Sequence, residues 1–179
     1  MAQLTPGTWK LDTHHSEIGM TVRHAGISKV RATFGEADGT LTVGEDGTAS
    51  VEATVRASSF DSKSADRDAH VRGGDFLDAE NHPELTFRAT DVKASGEEFE
   101  VAGELTIRGE TRKVTFEAEF GGQAVDPFGA TRAGFSASAA ISRKDFGLTW
   151  NAPLEAGGVL VGDKVAIDLE VAFVLDQGE

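Results

Sequence analysis

The stretch Ser64–Phe87, SADRDAHVRGGDFLDAENHPELTF, is the one long segment with the pattern of neither a strand nor a turn. Ser64 is a suitable N-cap for a helix, and Gly73 can end that helix. Two aspartates fall in the first turn, where the helix dipole favours acidic side chains. A helix this short is not stable alone in water, so we predict a helical segment over about residues 64–73 that lies against the rest of the fold.

The second half of this stretch returns the chain to extended structure. Phe76 and Leu77 supply bulky apolar side chains, and Pro83 favours an extended backbone at the residue before it. From Leu85 onward apolar and polar residues alternate, which is typical of a strand. We therefore expect Phe76 and Leu77 to help close one end of a β-structure.

Alternating apolar residues extend on both sides of the predicted helix. The first such pattern runs from Trp9 to His24 and is interrupted before Ser16, which predicts one long strand with a kink. The pair Asp46-Gly47 predicts a hairpin between two later strands. Eight or nine long strands of this kind close most economically into an all-β, antiparallel up-and-down barrel, because closure removes unpaired edges.

Length and composition limit the possible classes of protein. A chain of 179 residues suits one domain, here residues 1–179. The net charge of −13, from 30 acidic and 17 basic residues, argues against nucleic acid binding, which needs a basic surface. The chain has no cysteine, which excludes disulfides, thiolate metal sites and cysteine nucleophiles.

The N-terminal sequence MAQLTPGTWKLD has no basic region followed by an apolar run, so we expect no secretory signal. No stretch of the chain approaches the ~20 apolar residues that a bilayer-spanning helix needs. The sequence therefore predicts a cytoplasmic protein with no transmembrane segment.

No motif for metal binding or catalysis is present. A zinc site would need a recognisable ligand spacing, which the five histidines lack: His14, His15, His24, His70 and His82. A triad of Ser16, His24 and Asp12 is obtained only by free choice, and the nucleophile-elbow and phosphate-binding glycine motifs are missing. We expect no catalytic residue, no metal and no cofactor, and thus a protein that is not an enzyme.

Inward-facing positions of the predicted strands include many small residues, namely Ala49, Ala53, Ala57, Gly103, Ala118, Ala133, Ala137 and Ala139. A barrel of this size either is filled by its own side chains or holds a small ligand. Small inward residues leave space unless the larger ones interdigitate with them. The pattern favours an internal apolar ligand site but leaves a filled interior open.

The segment Arg143–Trp150 places two cations directly after a strand, with Phe146, Leu148 and Trp150 at alternate positions. One interpretation is a barrel mouth, in which cations meet an anionic head group and aromatic side chains line the neck. The alternative is an Arg143–Asp145 ion pair that closes a loop, with Trp150 filling the core. The sequence supports both equally.

Several segments together resemble the YceI-like family of lipocalin-like polyisoprenoid-binding proteins: Trp9-Lys10-Leu11-Asp12, His15-Ser16-Glu17-Ile18, Val22-Arg23-His24-Ala25-Gly26, Asp68-Ala69-His70-Val71-Arg72, Asp75-Phe76-Leu77-Asp78, His82-Pro83-Glu84-Leu85-Thr86-Phe87, Gly103-Glu104-Leu105-Thr106-Ile107-Arg108-Gly109 and Arg143-Lys144-Asp145-Phe146-Gly147. The resemblance implies an eight-stranded antiparallel barrel with a helical segment, commonly a homodimer. It also implies a long isoprenoid or similar amphiphile in the pore, and no established catalytic residue.

Combining pattern and resemblance, we predict the residues that would contact such a ligand. The predicted apolar wall consists of Ile18, Met20, Val22, Phe34, Val51, Val55, Phe76, Leu77, Phe87, Leu105, Ile107, Phe116, Phe135, Ile141, Phe146, Trp150, Ile167 and Phe173. The predicted polar end consists of His24, Arg72 and Arg143.

The resulting hypothesis is a protein that sequesters or carries a long-chain lipid, such as a polyprenyl phosphate or an isoprenoid quinone, inside the barrel. Two alternatives stay open. One is an enzyme that acts on such a lipid with His24 or His15 as general base, and the other is a ligand-free, stress-protective barrel with a packed interior.

Overall fold

The computed structural model describes residues 4–178. Residues 1–3, which belong to the N-terminal sequence from which a cytoplasmic location was predicted, lie outside the described residues. The strands are β1 Gly7–Leu11, β2 Glu17–His24, β3 Ser28–Phe34, β4 Ala37–Val43, β5 Ala49–Arg56, β6 Phe60–Asp61, β7 Glu84–Ser95, β8 Glu98–Ile107, β9 Glu110–Val125, β10 Thr131–Ser142 and β11 Val161–Leu175. The helices are α1 Ala65–Arg72 and the 3-10 turns Thr13–His15, Ala57–Ser59 and Arg143–Phe146.

The sheet closes on itself through β11. One edge of β11 pairs with β10, and the other edge pairs first with β2 and then with β1. β1 and β2 are therefore two parts of one kinked strand. The next two barrel strands are broken in the same way, one into β3 and β4 and the other into β5 and β6. The halves nearer one end of the barrel pair in the order β1-β4-β5, and the halves nearer the other end pair in the order β2-β3-β6.

These three broken strands and the five unbroken strands β7–β11 make an eight-stranded, antiparallel, up-and-down barrel. The predicted fold, including the short helix, is confirmed.

The kink in the first strand has a local cause at Ser16. Its hydroxyl donates to the Asp12 carbonyl at 2.6 Å and accepts from the Ala172 amide at 3.0 Å. The side chain thus replaces ladder hydrogen bonds that the 3-10 turn Thr13–His15 interrupts. The backbone bends here without leaving buried polar groups unpaired.

Helix α1 begins and ends where the sequence predicts. The Ser64 hydroxyl accepts from the Arg67 amide at 3.5 Å, and the helix ends at Gly73. Asp68 is buried and accepts hydrogen bonds from the amide (2.8 Å) and hydroxyl of Ser62. Burial by itself raises the pKa of Asp68, but the Ser62 bonds and two nearby arginines outweigh burial and lower it. α1 is therefore fastened to the segment before it.

Two apolar clusters occupy the two ends of the barrel. The first packs Phe76, Leu77, Phe146 and Leu148 at the end that carries α1. The second surrounds Trp9 at the other end, with Leu4, Leu41, Val43, Ala133 and Phe173. Within residues 4–178 no helix is long and apolar enough to cross a bilayer.

At the Trp9 end, Arg132 bridges two carboxylates. It contacts Asp12, at the end of β1, and Asp126, in the β9–β10 turn, the latter at 2.7 Å. Burial alone raises the pKa of Asp12, but hydrogen bonds from Arg132, His15 and the His14 amide lower it to about 2. Arg132 also lowers the pKa of Asp126.

We expect Asp12→Asn to destabilise the fold near neutral pH and to cost progressively less in acid. Because the folded pKa is depressed from 3.8 to about 2, the stabilisation is fully present above pH 3.8 and is lost as pH falls toward 2. The loss at pH 7 is roughly 2 kcal/mol of unfolding free energy. Urea unfolding at several pH values measures it, with exposed Asp38→Asn as control. A loss that does not change between pH 7 and pH 2.5 would contradict this assignment.

Candidate functional site

The barrel encloses an apolar cavity of about 650 Å³. Ligand pockets in proteins typically measure ~300–1,000 Å³. Ala53, Ala118 and Ala137 lie in the cavity wall among larger side chains, and the phenylalanines do not fill the space beside them. Of the two possibilities left open by the sequence, the structure therefore has an unfilled interior.

All of the predicted apolar wall residues, from Ile18 to Phe173, line this cavity. Their contact with a ligand stays a prediction. The wall also contains apolar residues that were not predicted, among them Leu11, Leu41, Val92, Phe99, Val101, Leu169 and Val171. The sequence pattern could have identified some of them. Leu169 and Val171 alternate with polar residues on β11 in the same phase as Ile167 and Phe173, which were predicted.

Aromatic side chains brace the wall against one another. Phe87 and Phe116 meet edge to face with ring centroids 5.0 Å apart, and Phe34 and Phe60 do so at 5.5 Å. Edge-to-face pairs add stabilisation beyond the area that they bury. The rings are therefore held in place by each other and do not depend on a ligand for their orientation.

One end of the cavity is closed. Trp9 is fully buried there, and Leu4 and Val43 are 5% and 3% exposed. The indole nitrogen of Trp9 donates to the Thr5 carbonyl at 3.0 Å, so burial leaves no polar atom of the ring unpaired. A ligand cannot enter through this end without displacing the plug.

The other end is open. Apart from Glu52 on β5, the exposed residues of the cavity lining all lie there. Arg23 and His24 come from the end of β2, and Asp66, Arg67 and His70 from α1. The mouth thus lies between α1, the β2–β3 hairpin and the segment that joins β10 to β11.

Three aromatic rings form the neck below the mouth. His70 packs between Phe76 and Trp150, with ring centroids 5.0 and 4.7 Å away, and Phe76 and Trp150 are 5.4 Å apart. The His70 Nε2 lies 2.9 Å from a carboxylate oxygen of Asp75. The sequence contains no motif that predicts a metal at His70. It also did not predict the contacts of its ring with Phe76 and Trp150, because these depend on residues that only the fold brings together.

Arg143 is buried next to the mouth and holds the segment between β10 and β11 in place. It is 4% exposed, and its guanidinium donates to the carbonyls of Leu148 (2.6 Å), Trp150 (2.9 Å), Gly162 (2.8 Å) and Val161 (3.2 Å). Burial lowers its pKa, against the opposing charge of Asp163. The side chain fixes the backbone of the segment between β10 and β11.

The structure contradicts the ion pair of the second interpretation of the Arg143–Trp150 segment. The ion pairs of the described residues do not include one between Arg143 and Asp145. Arg143, Phe146 and Trp150 all line the cavity, and the guanidinium of Arg143 donates to backbone carbonyls. Contact of Arg143 with a ligand head group stays a prediction.

The remaining predicted polar residues lie in different places. His24 is exposed at the mouth. Arg72 does not line the cavity, because its guanidinium turns to the Phe60 carbonyl. His15, the second candidate base, contacts Asp12 at 2.7 Å at the kink of the first strand and is also absent from the cavity lining.

We expect Arg143→Gln to lower the free energy of unfolding by roughly 3 kcal/mol, because it leaves several buried carbonyls without a donor. It should also raise amide hydrogen exchange across residues 147–161. Chemical unfolding and exchange mass spectrometry measure the two effects. Lys144→Gln, at the exposed neighbouring position, is the matched control and should change neither quantity. Equal behaviour of the two variants would rule out this role of Arg143.

A closed antiparallel barrel with a deep apolar cavity and one open end belongs to the class of ligand-binding β-barrels. The model of the YceI-like domain matches residues 9–173, and the chain therefore belongs to the YceI-like family. It is 40% identical over 144 residues to "Protein YceI" of Escherichia coli, a match that covers 78% of this chain and 75% of that protein.

Two solved structures are also similar. The Campylobacter jejuni YCEI protein has a TM-score of 0.72 and 25% identity, and the match covers 87% of this chain and 90% of that one. A Saccharophagus degradans structure, described as a polyisoprenoid binding domain implicated in plant cell wall breakdown, has a TM-score of 0.73. Its identity is 12%, with 94% of this chain and 98% of that one covered, so it shows a shared fold.

Proposed function

We propose that this protein binds a long-chain isoprenoid or similar amphipathic lipid in the barrel and performs no chemistry on it. The apolar cavity of about 650 Å³, open at one end, is the observation that carries the proposal. Membership of the YceI-like family and the fold shared with a polyisoprenoid binding domain support it. Polyprenyl phosphates and isoprenoid quinones are the ligand classes that we favour.

The shape and polarity of the cavity suit the tail of such a lipid. Burying about 400 Å² of apolar ligand surface contributes roughly 10 kcal/mol at ~25 cal/mol per Å². Association costs at least about 4 kcal/mol in lost translational and rotational freedom. The remainder is enough for firm binding by the tail alone, and the head group would lie among the exposed polar residues of the mouth.

The position of the titratable groups supports a binding role over a catalytic one. Of the two candidate bases, His15 lies away from the cavity lining and His24 is exposed to solvent at the mouth. A general base works best beside the bond that it acts on, with its pKa tuned by its surroundings. Recovery of bound lipid with unchanged mass after long incubation tests this part of the proposal.

The cavity itself is tested with Ala137→Trp. Ala137, on β10, faces the interior of the barrel, so the indole of a tryptophan at this position would fill the cavity. Ala140, on the same strand, is exposed. We expect the wild type to retain an added polyprenyl phosphate or isoprenoid quinone in native mass spectrometry and to gain thermal stability from it. Ala137→Trp should weaken binding at least about tenfold, since overpacking displaces the ligand and the wall. Ala140→Trp is the matched control and should bind as the wild type does.

Two results would contradict the proposal. One is a wild-type protein that retains neither lipid and gains no thermal stability from either. The other is an Ala137→Trp variant that is folded by circular dichroism and binds as strongly as Ala140→Trp.

A further inference from the structure

The β2–β3 hairpin has a charge opposite to that of the rest of the chain. Residues 18–35 contain Arg23, Lys29 and Arg31 and no aspartate or glutamate, in a protein with 30 acidic residues and a net charge of −13. Residues 127–144 form a second run of the same length without an acid, but there Arg132 is paired with Asp12 and Asp126, and Arg143 is buried. Three of the 17 basic residues of the chain therefore lie together on this hairpin with no acid between them.

The register of the hairpin puts these cations on its outer face. Arg23 lies opposite Lys29, and Arg31 lies opposite Thr21. The intervening pair, Val22 and Val30, lines the cavity, so the neighbouring positions point outward, and Arg23 also borders the mouth of the cavity. All three cations are exposed, and none of them takes part in an ion pair among residues 4–178.

Stability does not explain this arrangement. Like charges directly opposite each other on neighbouring strands are destabilising, and Arg23 and Lys29 form such a pair. A protein with many carboxylates had residues available to neutralise the pair. An exposed pair of cations beside the mouth suits an external anionic partner.

Exposed apolar side chains accompany the cations. Ile27, at the tip of the hairpin, is 85% exposed, and Val159, in the segment between β10 and β11, is 52% exposed. The Ala25 amide, in the same tip, donates to the Leu160 carbonyl at 2.7 Å, and Leu160 lines the cavity. The two apolar side chains therefore lie on adjoining segments at the edge of the mouth.

We propose that this face docks on an anionic lipid bilayer. Ile27 and Val159 enter the head-group region, and Arg23, Lys29 and Arg31 contact the lipid phosphates. Basic residues close to an anionic membrane are attracted to it, and apolar side chains at the interface add to that attraction. The net negative charge opposes docking only weakly, because charges beyond about 8 Å are screened at physiological ionic strength.

Docking in this orientation would turn the mouth of the cavity toward the bilayer. If the proposed function holds, a lipid tail could then pass between membrane and barrel without crossing water. This consequence rests on the proposed function, whereas docking itself does not.

The charge of the face favours a bilayer over a second copy of the chain. A two-fold dimer through this face would bring the same three cations of both copies together. The homodimer implied by the family resemblance is therefore expected to use another surface.

The opposite end of the barrel provides a matched control. Phe128, in the β9–β10 turn, is 95% exposed and thus more accessible than Ile27. Its turn contains Asp126, and the three cations of the hairpin are absent from it. Exposure of an apolar residue alone would make Phe128 at least as good a membrane contact.

The test is co-sedimentation with vesicles of phosphatidylcholine alone and of equal parts phosphatidylcholine and phosphatidylglycerol, at low and high NaCl. We expect the wild type to bind only the anionic vesicles, and to be released by salt. Ile27→Asp and the triple variant Arg23→Gln, Lys29→Gln, Arg31→Gln should each lower the vesicle affinity at least about tenfold. Phe128→Asp should bind as the wild type does, and melting curves establish that all variants are folded.

Four outcomes would overturn docking: no binding to anionic vesicles at low salt, equal binding to neutral vesicles, equal effects of Ile27→Asp and Phe128→Asp, or a triple variant that binds as the wild type does.

Sedimentation velocity tests whether this face instead binds a second copy of the chain. If Ile27→Asp dissociates a dimer but leaves vesicle binding unchanged, the face mediates self-association and the proposal is wrong. These vesicles contain no isoprenoid, and Ala137→Trp should still dock, so failure of docking and failure of ligand binding are separate results.

Discussion

The structure depends on the closure of the sheet through β11. This strand of 15 residues pairs with β10 along one edge and with both parts of the first strand along the other. Closure gives each barrel strand two neighbours, so no strand edge is left unpaired. The kinks at the first three strands let the ring curve, and Ser16 supplies the hydrogen bonds that one of these kinks would otherwise lose.

A closed ring explains how the interior stays unfilled. In a packed core, removed volume costs about 24 cal/mol per Å³, which for a cavity of about 650 Å³ would be roughly 15 kcal/mol. That figure lies at the upper end of the ~5–15 kcal/mol by which native domains are stable. The wall must therefore be held apart by its backbone ladder and by pairs such as Phe87 with Phe116, and not by contacts across the bore. A ligand tail would restore the contacts that the wall lacks.

The sequence predicted those features that depend on neighbouring residues. Alternation identified the wall, because an inward side chain on a strand is followed by an outward one, and Ser64 and Gly73 marked the ends of α1 by their capping chemistry. It did not predict features that depend on distant partners. The hydrogen bonds of Arg143 are such a feature, because their acceptors are carbonyls as distant in the sequence as that of Gly162. The same holds for Arg72, whose guanidinium donates to the carbonyl of Phe60.

The two ends of the barrel are built differently, and this difference decides where exchange with the surroundings can occur. At the Trp9 end, Arg132 joins Asp12 of the first strand to Asp126 of the β9–β10 turn, so opening that end would break ion pairs as well as the buried cluster. At the other end, α1 and the segment fixed by Arg143 leave a mouth edged by exposed side chains. Beside this mouth Arg23, Lys29 and Arg31 are exposed and take part in no ion pair among residues 4–178, whereas Arg132 at the closed end is paired with two carboxylates. Shape, fastening and charge therefore all mark the same end of the barrel as the one through which the cavity is accessible.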